Sequence, residues 1–118
     1  MTKDYAALTR DISAYMGQLR KLQPAAMKGF GDLARESTAD GALSKKTKEL
    51  VALAIGVSQR CDGCIGFHAK ALVDLGATRE EIAELMAMTV YMGGGPALMY
   101  AADALRAYDQ FTEAKKAA

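Results

Sequence analysis

Apolar residues recur every three or four positions along almost the whole chain, which is the spacing of an α-helix with one buried face. Runs of β-branched residues are absent, and the chain has only two prolines. The pattern therefore predicts an all-α fold of about six helices. The first helix, over about residues 3–22, has an apolar face formed by Tyr5, Leu8, Ile12, Tyr15, Leu19 and Leu22.

Capping residues predict where the next two helices begin. Pro24 suits the first turn of the second helix, because the N–H group that proline lacks has no partner at that position. This helix should fade near Ser37. Ser44 can cap a third helix over residues 45–60.

Similar signals divide the second half of the chain. The fourth helix begins at Cys61 or Asp62, and Gly76 suits the position just after its end. Thr78 and Glu81 have the spacing of a capping box that opens the fifth helix.

The Gly-Gly-Gly-Pro stretch at residues 93–96 predicts a break before the last helix. Residues 112–118 are expected to be a fraying tail. Because no repeat, low-complexity tract or linker interrupts the pattern, residues 1–118 are predicted to form a single domain.

Composition agrees with one ordinary globular domain, with 118 residues, 51 % hydrophobic and 25 % charged. An open helical layer of this size would leave apolar surface that self-association could cover. The net charge of +1 gives no indication of nucleic-acid binding or of an anionic membrane surface. The first residues include acidic side chains and no unbroken apolar stretch, so we expect neither a secretory signal nor a membrane span.

The expected compartment is therefore the cytosol, where thiols are kept reduced. Both cysteines and the only histidine lie within CDGCIGFH, residues 61–68. Cys61 and Cys64 are three positions apart, and Cys64 and His68 are four apart, so a helix would place all three on one flank. A helix N-terminus favours the thiolate form, and His68 could accept the proton of Cys64.

This spacing allows the two sulfurs to form a disulfide on adjacent turns. An attacked or oxidised cysteine could then be resolved by its neighbour, in a two-step redox cycle. Two alternatives remain open. Two thiolates and one imidazole could bind zinc, as in a non-enzymatic binding or assembly protein, if a carboxylate, water or second subunit supplied a fourth ligand. Alternatively, the cysteines could be buried and inert.

Glu49 is the other candidate residue. Taken alone, it is expected to be a solvated residue near the start of an amphipathic helix. A turn near Arg60 would fold this helix back on the next one, however, and Glu49 could then approach Cys61 or His68.

The stretch ELVALAIGVSQRCDGCIGFHAKAL resembles the AhpD-like, or carboxymuconolactone decarboxylase, family. The family pattern is a glutamate, eleven residues, and then Cys-x-x-Cys-x-x-x-His, which Glu49, Cys61, Cys64 and His68 match position by position. The downstream LGATREEIAELMAMTVYMGGGPALMYAADAL is also similar to short members, so the resemblance covers roughly residues 40–108.

The resemblance implies an all-α helical bundle that assembles as a homotrimer or homohexamer. It implies a thiol-dependent peroxidase or disulfide reductase that needs no metal or organic cofactor. Cys64 would attack a hydroperoxide or disulfide, and Cys61 would resolve the product. His68 and Glu49 would form a proton relay with water, and a lipoyl or thioredoxin-type dithiol would reduce the enzyme again.

One difference from some peroxidase members concerns the residues between the cysteines. Those members have a histidine there, whereas this chain has Asp62 and Gly63, and a carboxylate beside thiols would raise their pKa. A second hypothesis is a decarboxylase or small-molecule acid–base enzyme that uses His68 and Glu49. Decarboxylase members generally lack the cysteine pair, so its presence here favours redox chemistry.

Overall fold

The computed structural model describes residues 2–118, and within this range the chain forms six α-helices and no β-strand. This confirms the predicted all-α fold. The predicted domain begins at residue 1, and Met1 lies outside the described residues. The helices are α1 (Tyr5–Leu22), α2 (Pro24–Thr38), α3 (Lys45–Ser58), α4 (Asp62–Asp74), α5 (Arg79–Gly93) and α6 (Gly95–Ala117).

The predicted capping residues mark the helix starts. Pro24 is the first residue of α2, and the Ser44 side chain accepts a hydrogen bond from the Thr47 N–H at the start of α3. Thr78 and Glu81 form the complete capping box, in which each side chain accepts from the backbone N–H of the other residue. These helix starts are therefore set by local sequence.

The core lies around α4, which packs against α1, α3 and α6. Ile65, Ala69 and Leu72 of α4 are almost completely buried, as expected for a helix enclosed on several sides. α4 carries both Cys64 and His68, so the candidate site is attached to a helix at the centre of the core. The other core residues with no exposed surface are Tyr5, Leu53, Val57, Ile82, Ala104 and Ala107.

The apolar face predicted for the first helix covers the core only in its first half. Tyr15 and Leu22 are 72 % and 75 % exposed, and α2 buries none of its residues. Phe30 of α2 is also 68 % exposed. The end of α1 and the whole of α2 thus present apolar side chains without a cover from the rest of this chain.

The fraying tail predicted for residues 112–118 is wrong, because α6 continues to Ala117. Lys115 Nζ lies 3.7 Å from Asp74 Oδ1 of α4, and Lys116 Nζ lies 3.5 Å from Glu113 Oε1 one turn earlier. These contacts and the alanine-rich sequence favour helix to the end of the segment. In the described part of the chain, no helix combines the length and apolar character that a membrane crossing requires.

Candidate active site

The turn between α3 and α4 positions the cysteine pair. Arg60 has a φ of 56°, the left-handed conformation that usually favours glycine after a helix end. The N–H groups of Arg60 and Cys61 donate to the carbonyl oxygens of Val57 and Gly56, at 3.1 and 2.9 Å. Both bonds satisfy carbonyls at the end of α3, and the tight turn makes α3 and α4 an antiparallel pair.

Cys61 is the N-cap residue of α4. Its Sγ atom accepts a hydrogen bond from the backbone N–H of Cys64, with a distance of 3.1 Å. The two cysteines are joined as a disulfide, and their Cα atoms are 5.2 Å apart. Both residues are partly exposed, so the two cysteines are not buried as one alternative expected. The pair can close on itself, as the spacing predicted.

Gly56 allows α3 to approach α4 closely at the second cysteine. A Cβ atom added to Gly56 would lie 2.9 Å from the Cβ of Cys64, closer than two such carbons can pack. The sequence analysis missed this role. Its signal was a glycine inside an otherwise apolar helical stretch, which often marks a close backbone approach.

Glu49 lies on the same face of α3 as Gly56, two turns earlier, and it contacts His68. The Nδ1 atom of His68 is 2.6 Å from Oε2 of Glu49. Glu49 is only 5 % exposed to solvent, whereas the His68 side chain is 31 % exposed. The expectation of a solvated glutamate is therefore wrong, and of the two approaches considered the structure has the one to His68.

This contact fixes the chemistry available to the imidazole. A carboxylate at Nδ1 holds the ring in one orientation. Because Nδ1 faces Glu49, Nε2 is the nitrogen left for proton exchange with a neighbouring group. His68 is one helical turn after Cys64, so the buried carboxylate, the imidazole and the sulfur follow one another along the α3–α4 pair.

A second group of polar side chains surrounds Asp62, the first of the two residues between the cysteines. Asp62 accepts hydrogen bonds from Lys3 Nζ at 2.9 Å and from the Tyr5 hydroxyl at 2.8 Å. Burial, together with the bond to Asp62, raises the pKa of Tyr5. The hydrogen bond with Asp103, followed by the one with Asp62, raises the pKa of Lys3. The sequence analysis did not identify Lys3 or Tyr5.

The zinc alternative receives no support from the side-chain arrangement. Among residues 2–118, no three His, Cys, Asp or Glu side chains are close enough together to hold a metal ion. Cys61 and Cys64, which would be two of the ligands, are bonded to each other instead.

Comparison with known proteins identifies the family of this chain. The model of the carboxymuconolactone decarboxylase family matches residues 24–107, and the chain belongs to this family. An uncharacterized protein of Cupriavidus necator is 41 % identical over 109 residues, which are 92 % of this chain and 96 % of that protein. "Uncharacterized protein 4 in cox locus" of Paracoccus denitrificans is 35 % identical over 98 residues, 83 % of this chain and 88 % of that protein.

Two solved structures have the same fold. The apo form of a carboxymuconolactone decarboxylase family protein from Legionella pneumophila superposes with a TM-score of 0.90 and is 54 % identical, covering 92 % of this chain and 96 % of its own. A family protein from Thermotoga maritima, for which an involvement in the antioxidative response has been suggested, has a TM-score of 0.82 and 27 % identity. The match covers 92 % of each chain.

Proposed function

We propose that the protein is a thiol-dependent oxidoreductase that reduces hydroperoxides or disulfides with the Cys61–Cys64 pair. The observation that carries the proposal is the contact between buried Glu49 and His68, one turn from a cysteine that is already paired with its neighbour. No metal or organic cofactor enters the proposed reaction. The suggested antioxidative role of the Thermotoga maritima relative supports the same class of chemistry.

The first step acts on the reduced protein. Glu49 holds the His68 ring, and Nε2 takes the proton of the Cys64 thiol, directly or through water. The thiolate attacks the terminal oxygen of a hydroperoxide and breaks the O–O bond. Cys64 becomes a sulfenic acid, and the leaving alkoxide takes a proton to become an alcohol.

The second step regenerates the state seen in the structure. The Cys61 thiol attacks the sulfenic sulfur of Cys64, which forms the disulfide and releases water. An external dithiol of the lipoyl or thioredoxin type then reduces this disulfide by thiol–disulfide exchange and becomes a disulfide itself. With a disulfide substrate, Cys64 forms a mixed disulfide that Cys61 resolves in the same way.

Self-association as a homotrimer or homohexamer in the cytoplasm completes the proposal. The exposed apolar side chains of α1 and α2, which include Tyr15, Leu22 and Phe30, support it. Contiguous apolar surface of this kind is typical of an interface between subunits.

Steady-state assays test the proposed reaction. We expect the wild-type protein to consume an alkyl hydroperoxide with dihydrolipoamide or dithiothreitol as reductant, and Cys64→Ser to lose this activity. Full activity in Cys64→Ser, or acid–base turnover of a lactone that needs only His68 and Glu49, would instead favour the decarboxylase hypothesis.

A further inference from the structure

Lys3 is held beside the cysteine motif by three side chains. Its Nζ atom donates to Asp62 Oδ1 at 2.9 Å and to Asp103 Oδ2 at 2.8 Å, and it lies 4.9 Å from the centroid of the Tyr100 ring. The Tyr5 hydroxyl donates to the same Asp62 oxygen at 2.8 Å. An ammonium group with this many partners has a defined position.

The backbone around Lys3 is fixed as well. The Gln110 side chain of α6 donates to the Lys3 carbonyl oxygen at 2.7 Å and accepts from the Tyr5 N–H at 2.9 Å. Asp4 caps α1 by accepting from the Ala7 N–H at 3.0 Å. The segment before α1 is therefore bound to α6 on one side and to the start of α4 on the other.

Asp62 creates an electrostatic conflict at this site. It is the first residue of α4, where a negative charge stabilises the helix. It is also bonded directly to Cys61 in the chain, where the same charge opposes a thiolate. The surrounding charges are balanced: Asp62 and Asp103 face Lys3, and Arg106 lies 3.7 Å from Asp103.

We propose that Lys3 and Tyr5 are positioning residues of the dithiol: Lys3 neutralises the charge of Asp62, and the Tyr5 hydroxyl holds the carboxylate by a hydrogen bond, so that the motif can hold a reactive thiolate. The inference rests on the proposed function, because it concerns the same cysteine pair. It also accounts for how this chain tolerates a carboxylate between its two cysteines.

The rate at which iodoacetamide alkylates the reduced protein at neutral pH tests this proposal, because it reports the thiolate fraction. Lys3→Met should slow alkylation about threefold to tenfold, and Asp62→Asn should accelerate it by a similar factor. The double variant should return close to the wild-type rate, since both charges are gone. Tyr5→Phe should slow alkylation less than Lys3→Met does.

Lys46→Met is the matched control. Lys46 contacts Glu81 at 2.8 Å with almost the same exposure as the Lys3–Asp62 pair, but it lies at the opposite end of α3 from the cysteines. The Lys46→Met variant should be alkylated at the same rate as the wild-type protein.

Opposite effects of the two single variants distinguish charge neutralisation from structural damage, which would move both rates in the same direction. Equal rates in all variants, or shifts of the same sign, would overturn the inference. If the alkylation rate depends on these charges but the protein has neither peroxidase nor reductase activity, the inference about Lys3 and Tyr5 stands and the proposed function is wrong.

Discussion

Glu49 Oε2 lies 2.6 Å from His68 Nδ1, across the antiparallel pair formed by α3 and α4. The carboxylate is almost fully buried, while the imidazole is partly exposed. A buried carboxylate needs such a partner, because leaving it unpaired in the protein interior is costly. The pair therefore joins the packing of the helical hairpin to the chemistry that we propose for Cys64.

If Glu49 and His68 act as one relay, the losses of activity caused by substituting each residue should not add in the double variant. We expect His68→Gln to reduce kcat/KM for an alkyl hydroperoxide about a hundredfold, and Glu49→Gln about tenfold to a hundredfold. The double variant should resemble His68→Gln alone, since residues that work as a unit are lost together. Glu84→Gln, at an exposed position of α5, is the control and should keep full activity. Multiplicative losses in the double variant would contradict the relay.

Gly56 should be required for the packing of α3 against Cys64. Gly56→Ala places a Cβ 2.9 Å from the Cys64 Cβ and is expected to lower the free energy of unfolding by about 1–3 kcal/mol. In α2, a Cβ added at Gly29 meets no atom within 4 Å, so Gly29→Ala should raise stability by up to about 1 kcal/mol. Urea unfolding at one fixed protein concentration measures both. Equal effects of the two substitutions would show that helix propensity alone decides the outcome.

Arg60 and Gly76 make a matched pair of left-handed residues, with φ values of 56° and 80° just after α3 and α4. Arg60→Gly should stabilise the protein by about 1 kcal/mol, because glycine adopts this conformation without steric cost. Gly76→Ala should destabilise it by about the same amount. Thermal unfolding checks both signs, and a less stable Arg60→Gly variant would mean that the arginine side chain makes a contribution that outweighs its backbone strain.

The exposed apolar side of α2 should determine the oligomeric state. We expect light scattering to give the mass of a trimer or hexamer for the wild-type protein and a smaller species for Phe30→Glu, because a charge would be placed among apolar contacts. Ala25→Glu adds the same charge on the opposite side of α2 and serves as the control. If light scattering gives the mass of a monomer for the wild-type protein, the proposed assembly is wrong.

Features set by neighbouring residues were predictable from the sequence. The capping box of Thr78 and Glu81 was one of them, and the break before α6 was another, where Gly94 has a φ of 72°. A short turn between two helices likewise indicated that Glu49 could approach Cys61 or His68, although it could not say which of the two. Such features need only the local pattern and the geometry of one helical pair.

Features that depend on distant residues were not predictable in the same way. Lys3 and Tyr5 reach Asp62 across 59 and 57 positions of the chain, and no local pattern indicates which acid they meet. The last turns of α6 are held partly by Lys115 near Asp74 of another helix. Periodicity likewise identified the apolar face of α1, but it could not tell which half of that face the core would cover.

A single turnover of the reduced protein with one equivalent of an alkyl hydroperoxide tests the central claim most directly. Mass spectrometry with a sulfenic-acid trap should find the Cys61–Cys64 disulfide in wild type, a trapped sulfenic acid on Cys64 in Cys61→Ser, and unreacted protein in Cys64→Ser. Oxidation of Cys61 in Cys64→Ser as fast as wild type reacts, or no reaction of the wild-type dithiol at all, would contradict the account.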